Sequence, residues 1–366
     1  MDDRQGSLKW AEQKAKEIAT LLLSWYDKNK RLLPWRTTVD PYAIWLSEIM
    51  LQQTQVEAVI PYYRRFLEQF PTIQELARAP LEAVLKAWEN MGYYSRARNL
   101  HAAARLVMDS HGGQLPENPA ELRALPGIGP YTAGAILSIA FGKPLPAVDG
   151  NVKRVLSRLF AVDRPLDVGS TQQFISALAE KLVPIKEPGL FNSALMELGA
   201  LVCRPGIPQC TRCPLTSICL AHAGECQHLL PVTGSRANRP HREAGAVILR
   251  DSQNRLLIVQ RPAAGFLGGL WKFPGGMLSP GETTSEGLKN RCREELNLSI
   301  SVQEPLLKLQ QGYTHFQLTL HVFSGTILEG NPGLPAAGNR LWASVGDIRS
   351  FPFSRAELRI LDALFP

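Results

Sequence analysis

Two carboxylates in the amino-terminal half of the chain lie in sequence contexts that favour opposite charge states. Glu48 has apolar neighbours in IWLSEIMLQQTQV. Burial in such surroundings would raise its pKa above the usual value of about 4.3, so that it acts as a general acid. Asp149 precedes the helical pattern VDGNVKRVLSRL, and a helix N-terminus stabilises a negative charge. A neutral acid beside an ionised carboxylate is typical of acid–base catalysis, whereas a solvated glutamate and a plain helix cap are the simpler interpretations.

Four of the six cysteines form a second candidate site. They follow the spacing C-x6-C-x2-C-x5-C at Cys203, Cys210, Cys213 and Cys219. The first residues, MDDRQGSLKW, lack the apolar core of a signal peptide, so the cluster indicates a metal site rather than disulfides. Zinc and a [4Fe–4S] cluster both accept four cysteines, and the spacing alone leaves both open.

The string LPGIGPYTAGAI, which begins at Leu125, predicts a tight turn and then a helix from about Pro130. Gly127 and Gly129 permit the turn and a close approach of the backbone to another molecule. The free N–H groups at the start of the helix are able to hold a DNA phosphate without reading the base sequence. An ordinary helix–turn–helix corner is the simpler interpretation of the two glycines, but the whole string favours DNA binding.

These residues need a helical framework, and apolar residues recur at helical spacing through the first 220 positions or so. The predicted helices are 10–26, 41–59, 81–91, 95–109, 132–141 and 150–160. Frequent Pro, Gly and Arg at 230–240 predict a linker. Beyond it, three strand-like runs and one helix predict an α+β domain: 244–249, 256–260, 318–325 and 284–296. The net charge of +7 permits a polyanionic partner, and the absence of a long apolar run predicts no membrane span.

Residues 8 to about 225 resemble the helix-hairpin-helix DNA glycosylases that carry an iron–sulfur cluster, and within them the adenine-specific members. The strings that carry the resemblance are LPWR (33–36), WLSEIMLQQTQV (45–56), MGYYSRARNLH (91–101), LPGIGPYTAGAI, VDGNVKRVLSRL, ELGALVC (197–203) and the cysteine spacing. The resemblance implies a [4Fe–4S] cluster on the four cysteines and two helical subdomains with the active site between them. It places the helix-hairpin-helix near 123–137 and the iron–sulfur loop at 203–219.

The resemblance also implies roles for individual residues. Glu48 would protonate adenine, and Asp149 would stabilise the cationic sugar or attack it. Relatives that cleave the DNA backbone use a lysine at the position of Tyr131 as a Schiff-base nucleophile. A phenol cannot form that imine, so the protein is predicted to be monofunctional. Tyr131 and Asn151 would orient the reacting groups. Further residues are implied to contact DNA: Arg36, Gln53, Tyr93, Gly127 and Gly129.

Residues 241–366 resemble the Nudix-like domain of the same family through GLWKFPGGMLSPGE and NRCREELNL. Four residues fit the Nudix frame: Gly276, Glu282, Glu294 and Glu295. Asn290 and Arg291 replace the Arg-Glu pair of that frame, and an arginine in place of a magnesium-binding carboxylate is predicted to disable pyrophosphate hydrolysis. In the family a loop of this domain contacts the oxidised guanine opposite adenine. The corresponding residues here are Tyr313, Thr314 and His315.

We therefore expect a multidomain enzyme, with an all-α helix-hairpin-helix glycosylase domain at 1–229 and an α+β Nudix-like, mispair-recognising domain at 241–366. It would flip adenine paired with 8-oxoguanine or guanine out of double-stranded DNA and hydrolyse the N-glycosidic bond, leaving an abasic site. We expect a monomer in the cytoplasm of a bacterium, with no membrane partner. Three alternatives stay open: a pyrimidine-lesion glycosylase similar to endonuclease III, a non-catalytic DNA-binding iron–sulfur protein, and a nucleotide pyrophosphatase.

Overall fold

The computed structural model describes residues 4–234, 238–331 and 339–366. Contacts divide the chain into two compact units, each built from two stretches of sequence. The first unit combines Met1–Ala77 with Ala102–Arg236, and the second combines Arg78–His101 with Ala237–Pro366. The predicted linker at 230–240 includes residues 235–237, which lie outside the described residues.

The chain up to residue 234 is helical, as predicted. Its helices are α1 (Arg4–Asn29), α2 (Pro41–Leu51), α3 (Val56–Gln69), α4 (Ile73–Arg78), α5 (Leu81–Ala87), α6 (Ser95–His111), α7 (Pro119–Ala124), α8 (Pro130–Ile139), α9 (Gly150–Leu159), α10 (Gly169–Leu182), α11 (Pro188–Leu201) and α12 (Leu220–Ala223). The predicted helix at 41–59 is two helices, because the chain turns at Gln53, whose φ is +58°. In the described ranges, every helix is too short or too polar to cross a membrane.

The core of the first unit lies among α1, α9, α10 and α11. On α9 the buried apolar residues recur at helical spacing and form one face: Val152, Val155, Leu156 and Leu159. Helix α11 approaches α9 closely at Gly199, where an added Cβ would lie 2.7 Å from the Cβ of Asn151. The glycine therefore fixes the place of a predicted site residue, since a larger side chain would push it away.

The residues described at 238–331 and 339–366 form two small sheets and two further α-helices of the second unit. The elements are β1 (His241–Leu249), β2 (Leu256–Gln260), β3 (Trp271–Lys272), β4 (Gly275–Met277), α13 (Thr284–Leu296), β5 (Ser299–Gly312), β6 (Gln317–Glu329), β7 (Arg340–Ala343) and α14 (Arg355–Leu364). The sheet orders are β4-β1-β6-β5 and β3-β2-β7, with β1 parallel to β6 and β5 antiparallel to it. The three predicted strands and the predicted helix are confirmed, and β3, β4, β5, β7 and α14 are additional.

Side chains of β1 alternate between two apolar cores. Ala246 and Ile248 join the cluster that includes Phe353, whereas Val247 and Leu249 join the cluster formed with α13. This period of two residues is that of a strand buried on both faces. The strand therefore anchors both layers of the unit.

The segment Arg78–His101 joins the second unit, although it is helical and precedes the predicted boundary. Tyr94 donates its hydroxyl hydrogen to the carbonyl of Phe353 over 3.1 Å, and the backbone N–H of Phe353 donates to Glu89 over 3.0 Å. These contacts join residues that are far apart in sequence, so periodicity gives no sign of them. The boundary at 229 stays a prediction, and the contacts of this segment run across it.

Candidate active site

Glu48 lies on α2, a helix whose residues are almost all buried. Its own surface is only 4% exposed, and Tyr131 on α8 donates a hydrogen bond to its Oε2. Burial raises the pKa of Glu48 to about 7; the Tyr131 hydrogen bond lowers it and the nearby charge of Asp149 raises it. At neutral pH the carboxyl is therefore close to half protonated.

The hairpin before Tyr131 has the predicted form. Helix α8 begins at Pro130, and Gly127 in the preceding turn has a φ of +80°, in the left-handed region that glycine favours. Gly129 is the N-cap, and an added Cβ there would meet no atom of the described residues within 4 Å. The start of the helix thus presents free N–H groups beside open space.

Asp149 is the N-cap of α9, as predicted. Its Oδ1 accepts a hydrogen bond from the backbone N–H of Val152 over 2.7 Å, and its Oδ2 accepts one from the amide of Asn151 over 2.8 Å. The guanidinium of Arg154 in turn donates a hydrogen bond to Oδ1 of Asn151 over 2.8 Å. Burial raises the pKa of Asp149 above its ordinary value, while the hydrogen bonds from Val152 and Asn151 lower it. A helix N-terminus alone would lower the pKa of Asp149. The net shift is upward, because desolvation is the larger effect.

A buried cluster of charged residues lines the same cavity as Glu48 and Asp149, and sequence spacing did not predict it. Glu197 on α11 is 1% exposed, and its carboxylate accepts hydrogen bonds from Arg31 and Arg36. Burial alone would raise the pKa of Glu197, but hydrogen bonds from Arg36 and Arg31 hold it at about 2. Arg36, predicted to contact DNA, thus has an intramolecular partner, and its charge also lowers the pKa of Glu48. One sequence signal could have indicated this cluster: Glu197 is followed directly by apolar residues in ELGALVC, and a glutamate buried among such residues needs a positively charged partner.

One cavity of about 1310 Å³ in the first unit brings most of the predicted residues together. Those in its lining are Arg36, Glu48, Gln53, Gly127, Gly129, Tyr131, Asp149 and Asn151. The other predicted DNA contacts, Tyr93 and 313–315, belong to the second unit. The cavity is large enough to take a nucleotide. Its two carboxyl groups and phenol are able to supply a proton and to stabilise a cation.

Comparisons with known proteins identify the family. Residues 46–185 match the HhH-GPD superfamily of base excision DNA repair proteins, and residues 245–363 match the NUDIX domain. The chain is 37% identical to the adenine DNA glycosylase of Rattus norvegicus, over 93% of this chain and 76% of that protein. It is 33% identical to the adenine DNA glycosylase of Schizosaccharomyces pombe, over 89% of this chain and 85% of that protein.

The chain belongs to the adenine DNA glycosylase (MutY) family. Among solved structures, a thermostable thymine-DNA glycosylase is similar with a TM-score of 0.53 and 32% identity, over 58% of this chain and 98% of that chain. A trapped covalent intermediate of endonuclease III with DNA is similar with a TM-score of 0.50 and 25% identity, over 58% and 98%. A helical glycosylase domain followed by a Nudix-like domain is thereby confirmed as the fold class, and DNA is the partner of the family.

The four cysteines line one small cavity in the first unit, together with His222 and Gln227. Arg158 donates a hydrogen bond to the sulfur of Cys203 over 3.4 Å. Burial raises the pKa of the Cys213 thiol to about 11, so the thiolate form needs a cation or a metal to stabilise it. The predicted cysteine set is thus brought together in space.

The arrangement of these sulfurs bears on the kind of metal group. In the described ranges, no three His, Cys, Asp or Glu side chains converge closely enough to hold a single metal ion. Zinc would need four sulfurs at about 2.3 Å from one centre. A four-iron cluster binds each thiolate to a different iron and so spaces them more widely. Four cysteines around one cavity supply the set of thiolates that a [4Fe–4S] cluster requires.

The predicted mispair-recognition residues lie in the turn between β5 and β6. Tyr313 is packed against Phe266 and Phe316, with ring centres 5.0 and 4.9 Å apart. Thr314 and His315 are exposed. The hydroxyl of Thr314 lies 2.6 Å from that of Tyr93, so these two predicted DNA-contact residues are hydrogen bonded to each other.

Tyr93 has the geometry of an exposed, supported ring. It is 41% exposed and has a φ of +47°, an uncommon backbone conformation for a bulky residue. The guanidinium of Arg96 lies 5.4 Å from the centre of its ring. Strained backbone at an exposed aromatic residue is typical of a functional position.

The Nudix-like site is neutralised by its own arginine. Arg291 donates hydrogen bonds to Glu282 over 3.5 Å and to the carbonyl of Met277 over 2.7 Å, and lies 3.9 Å from Glu294. Positive charge thus stands where a magnesium ion would bind carboxylates.

We expect no magnesium-dependent release of phosphate or pyrophosphate from nucleoside triphosphates by the purified protein. Turnover that depends on Glu282 would contradict this expectation.

The replacement Gly129→Ala tests the hairpin as a phosphate-binding element. The φ of −89° suits alanine, and in the described part of the chain the added Cβ meets no atom within 4 Å, so the fold is expected to tolerate the change. A Cβ beside a bound phosphate would weaken its hydrogen bonds, and we expect a loss of duplex affinity of about tenfold or more. Fluorescence anisotropy at fixed salt measures it. Gly169→Ala, at another helix start with open space, is the control; equal losses in both variants would contradict the assignment.

Proposed function

We propose that the protein is a monofunctional glycosylase that hydrolyses the N-glycosidic bond of adenine mispaired with 8-oxoguanine or guanine, leaving an abasic site. The observation that carries the proposal is the buried Glu48, with a pKa of about 7, in the same cavity as Asp149. Family membership supports DNA as the substrate and adenine as the base removed. We further propose that the enzyme acts as a monomer.

Glu48 is the proposed acid. Adenine flipped into the cavity leaves more readily when a ring nitrogen is protonated, and a carboxyl with a pKa near the working pH combines sufficient protonated population with sufficient acidity. Tyr131 fixes the direction of this carboxyl by donating to its Oε2. Burial and the charges of Glu48 and Asp149 raise the pKa of Tyr131 well above its ordinary value, so it stays a donor.

Asp149 is the proposed stabiliser of the sugar cation that forms as adenine leaves. Its oxygens are held by Val152 and Asn151, so its charge is positioned before the reaction begins. Residue 131 carries a phenol rather than an amine, so no imine with the opened sugar forms there and the backbone is not cut. Water then completes hydrolysis.

We propose a [4Fe–4S] cluster on Cys203, Cys210, Cys213 and Cys219. The donor set and the shared cavity support it, as does the similarity to endonuclease III. When bound, the cluster supplies four metal–thiolate bonds that fasten the loop at 203–219. Iron and sulfide analysis tests this proposal, and zinc in place of iron would overturn it.

A gel assay tests the reaction. Labelled duplexes hold one A opposite 8-oxoguanine, one A opposite G, one A opposite T, or an oxidised pyrimidine, and half of each sample is heated in alkali. We expect breaks only after alkali, greatest opposite 8-oxoguanine, and no borohydride-trapped complex. Breaks without alkali at the oxidised pyrimidine would instead establish an endonuclease III-like activity. Tight binding without base release would establish a non-catalytic protein.

Removal of the Thr314 hydroxyl is expected to reduce the preference for 8-oxoguanine over guanine opposite adenine by about 2- to 10-fold, the usual range for one hydrogen bond. Thr314→Val removes the hydroxyl and keeps the shape, whereas Thr314→Ser keeps the hydroxyl. The measurement is the ratio of single-turnover rates on the two duplexes. An unchanged ratio in Thr314→Val, together with a lower ratio in Thr314→Ser, would show that side-chain shape, not the hydroxyl, sets the preference.

A further inference from the structure

Two residues that line the cysteine cavity each have a buried polar atom without a partner among the described residues. These atoms are Nδ1 of His222 and Oε1 of Gln227. A buried polar atom left without a partner costs about 1–3 kcal/mol. Other polar side chains of the lining are bonded to protein: Arg158 to the carbonyl of Arg204 over 2.7 Å, and Thr216 to that of Cys213 over 2.9 Å.

The two unsatisfied atoms differ in what they offer to a cluster. An amide oxygen only accepts hydrogen bonds, so Oε1 of Gln227 has nothing to give to an electron-rich sulfur. A neutral imidazole can carry its proton on Nδ1 and donate it. His222 is also held near the cluster ligands, because it lies on the short helix α12, whose N-cap is Cys219. The histidine is therefore the residue positioned to act on the cluster.

We propose that Nδ1–H of His222 donates a hydrogen bond to a sulfur of the [4Fe–4S] cluster and thereby sets its reduction potential. The inference rests on the cluster proposed above. Hydrogen bonds to cluster sulfurs stabilise the reduced, more negative state, so their loss lowers the potential. The role is one of positioning and electrostatics, because His222 adds no metal–ligand bond.

The expected effect follows from the strength of one hydrogen bond. A net contribution of that size changes the ratio of oxidised to reduced cluster by about 2- to 10-fold at a fixed potential, and tenfold corresponds to about 59 mV for one electron. The variant His222→Phe keeps a ring and removes the donor. His222→Asn restores an N–H donor on a short side chain. His228→Phe, at an exposed histidine six residues further on, is the matched control.

Redox titration of the iron-loaded full-length protein measures the effect. We expect a lower potential in His222→Phe and wild-type-like values in His222→Asn and His228→Phe. Electron–nuclear double resonance on protein with imidazole-¹⁵N histidine tests the contact without a variant, and a nitrogen coupling is expected that His222→Asn abolishes. An unchanged potential in His222→Phe with full iron content, or no nitrogen coupling, would overturn this inference alone. Protein that takes up zinc and no iron would overturn the cluster proposal itself.

Discussion

Glu48→Gln is expected to slow adenine release by at least about 100-fold, the usual loss when a general acid is removed. The amide has nearly the same shape and still accepts the hydrogen bond from Tyr131, but it has no proton to give. Single-turnover cleavage of the A:8-oxoguanine duplex measures the loss. Duplex binding is expected to persist, because the substitution removes no contact that requires charge.

The same variant is expected to be more stable than the wild type at neutral pH. The folded-state pKa of Glu48 is raised from 4.5 to about 7, so folding favours the protonated form. Stability is therefore fully present below about pH 4.5 and is lost as the pH rises towards 7, by about 3 kcal/mol at most. Glutamine does not titrate, so the variant does not lose this stability as the pH rises. Thermal unfolding at pH 5 and pH 8 should show a gain for Glu48→Gln that is larger at pH 8.

Activity should follow the same titration in the wild type. The rate of base release is expected to fall as the pH rises through about 7, since the acid form disappears. Glu68→Gln, at an exposed glutamate of α3, is the control and should change neither stability nor rate. Full adenine release by Glu48→Gln would remove Glu48 from the mechanism, whatever its effect on stability.

The sequence could predict the parts of the site whose local contexts are unusual. A glutamate among apolar residues predicts the buried Glu48, and an aspartate before an amphipathic helix predicts the cap at Asp149. Four cysteines within 17 residues must lie near each other in space, because the chain between them is short. These features depend on residues that are close in sequence, so periodicity and spacing can predict them.

Other parts depend on distant residues and escape such prediction. The bond between Arg31 and Glu197 joins positions 166 residues apart, and that between Tyr93 and Thr314 joins positions 221 apart. The direction of the Asp149 pKa shift could not be predicted either. A helix N-terminus lowers the pKa, whereas burial, which depends on the whole folded unit, raises it. Assignment of Arg78–His101 to the second unit is a further case, because its helical pattern says nothing of its partner.

Asp149→Asn should separate the charge of this residue from its structural role. Asparagine is as good an N-cap as aspartate, so α9 is expected to keep its start and the amide oxygen to keep the bond from Val152. The negative charge is lost, and with it the hydrogen bond that Oδ2 accepts from Asn151, because the amide carries an NH2 group at that place. We expect base release to slow by about 100-fold or more, because a positioned charge that stabilises a cationic transition state is typically worth that much.

The variant should also move the pH profile of the residual activity. The charge of Asp149 raises the pKa of Glu48, so its removal lowers that pKa and shifts the fall in rate to lower pH. Asp40→Asn, the same change at the N-cap of α2, is the control and should retain activity. If Asp149 were only a cap, Asp149→Asn would behave like Asp40→Asn. If both carboxyl groups act in one step, the double variant Glu48→Gln, Asp149→Asn will be far less impaired than the product of the two single losses, because each single change already disables that step.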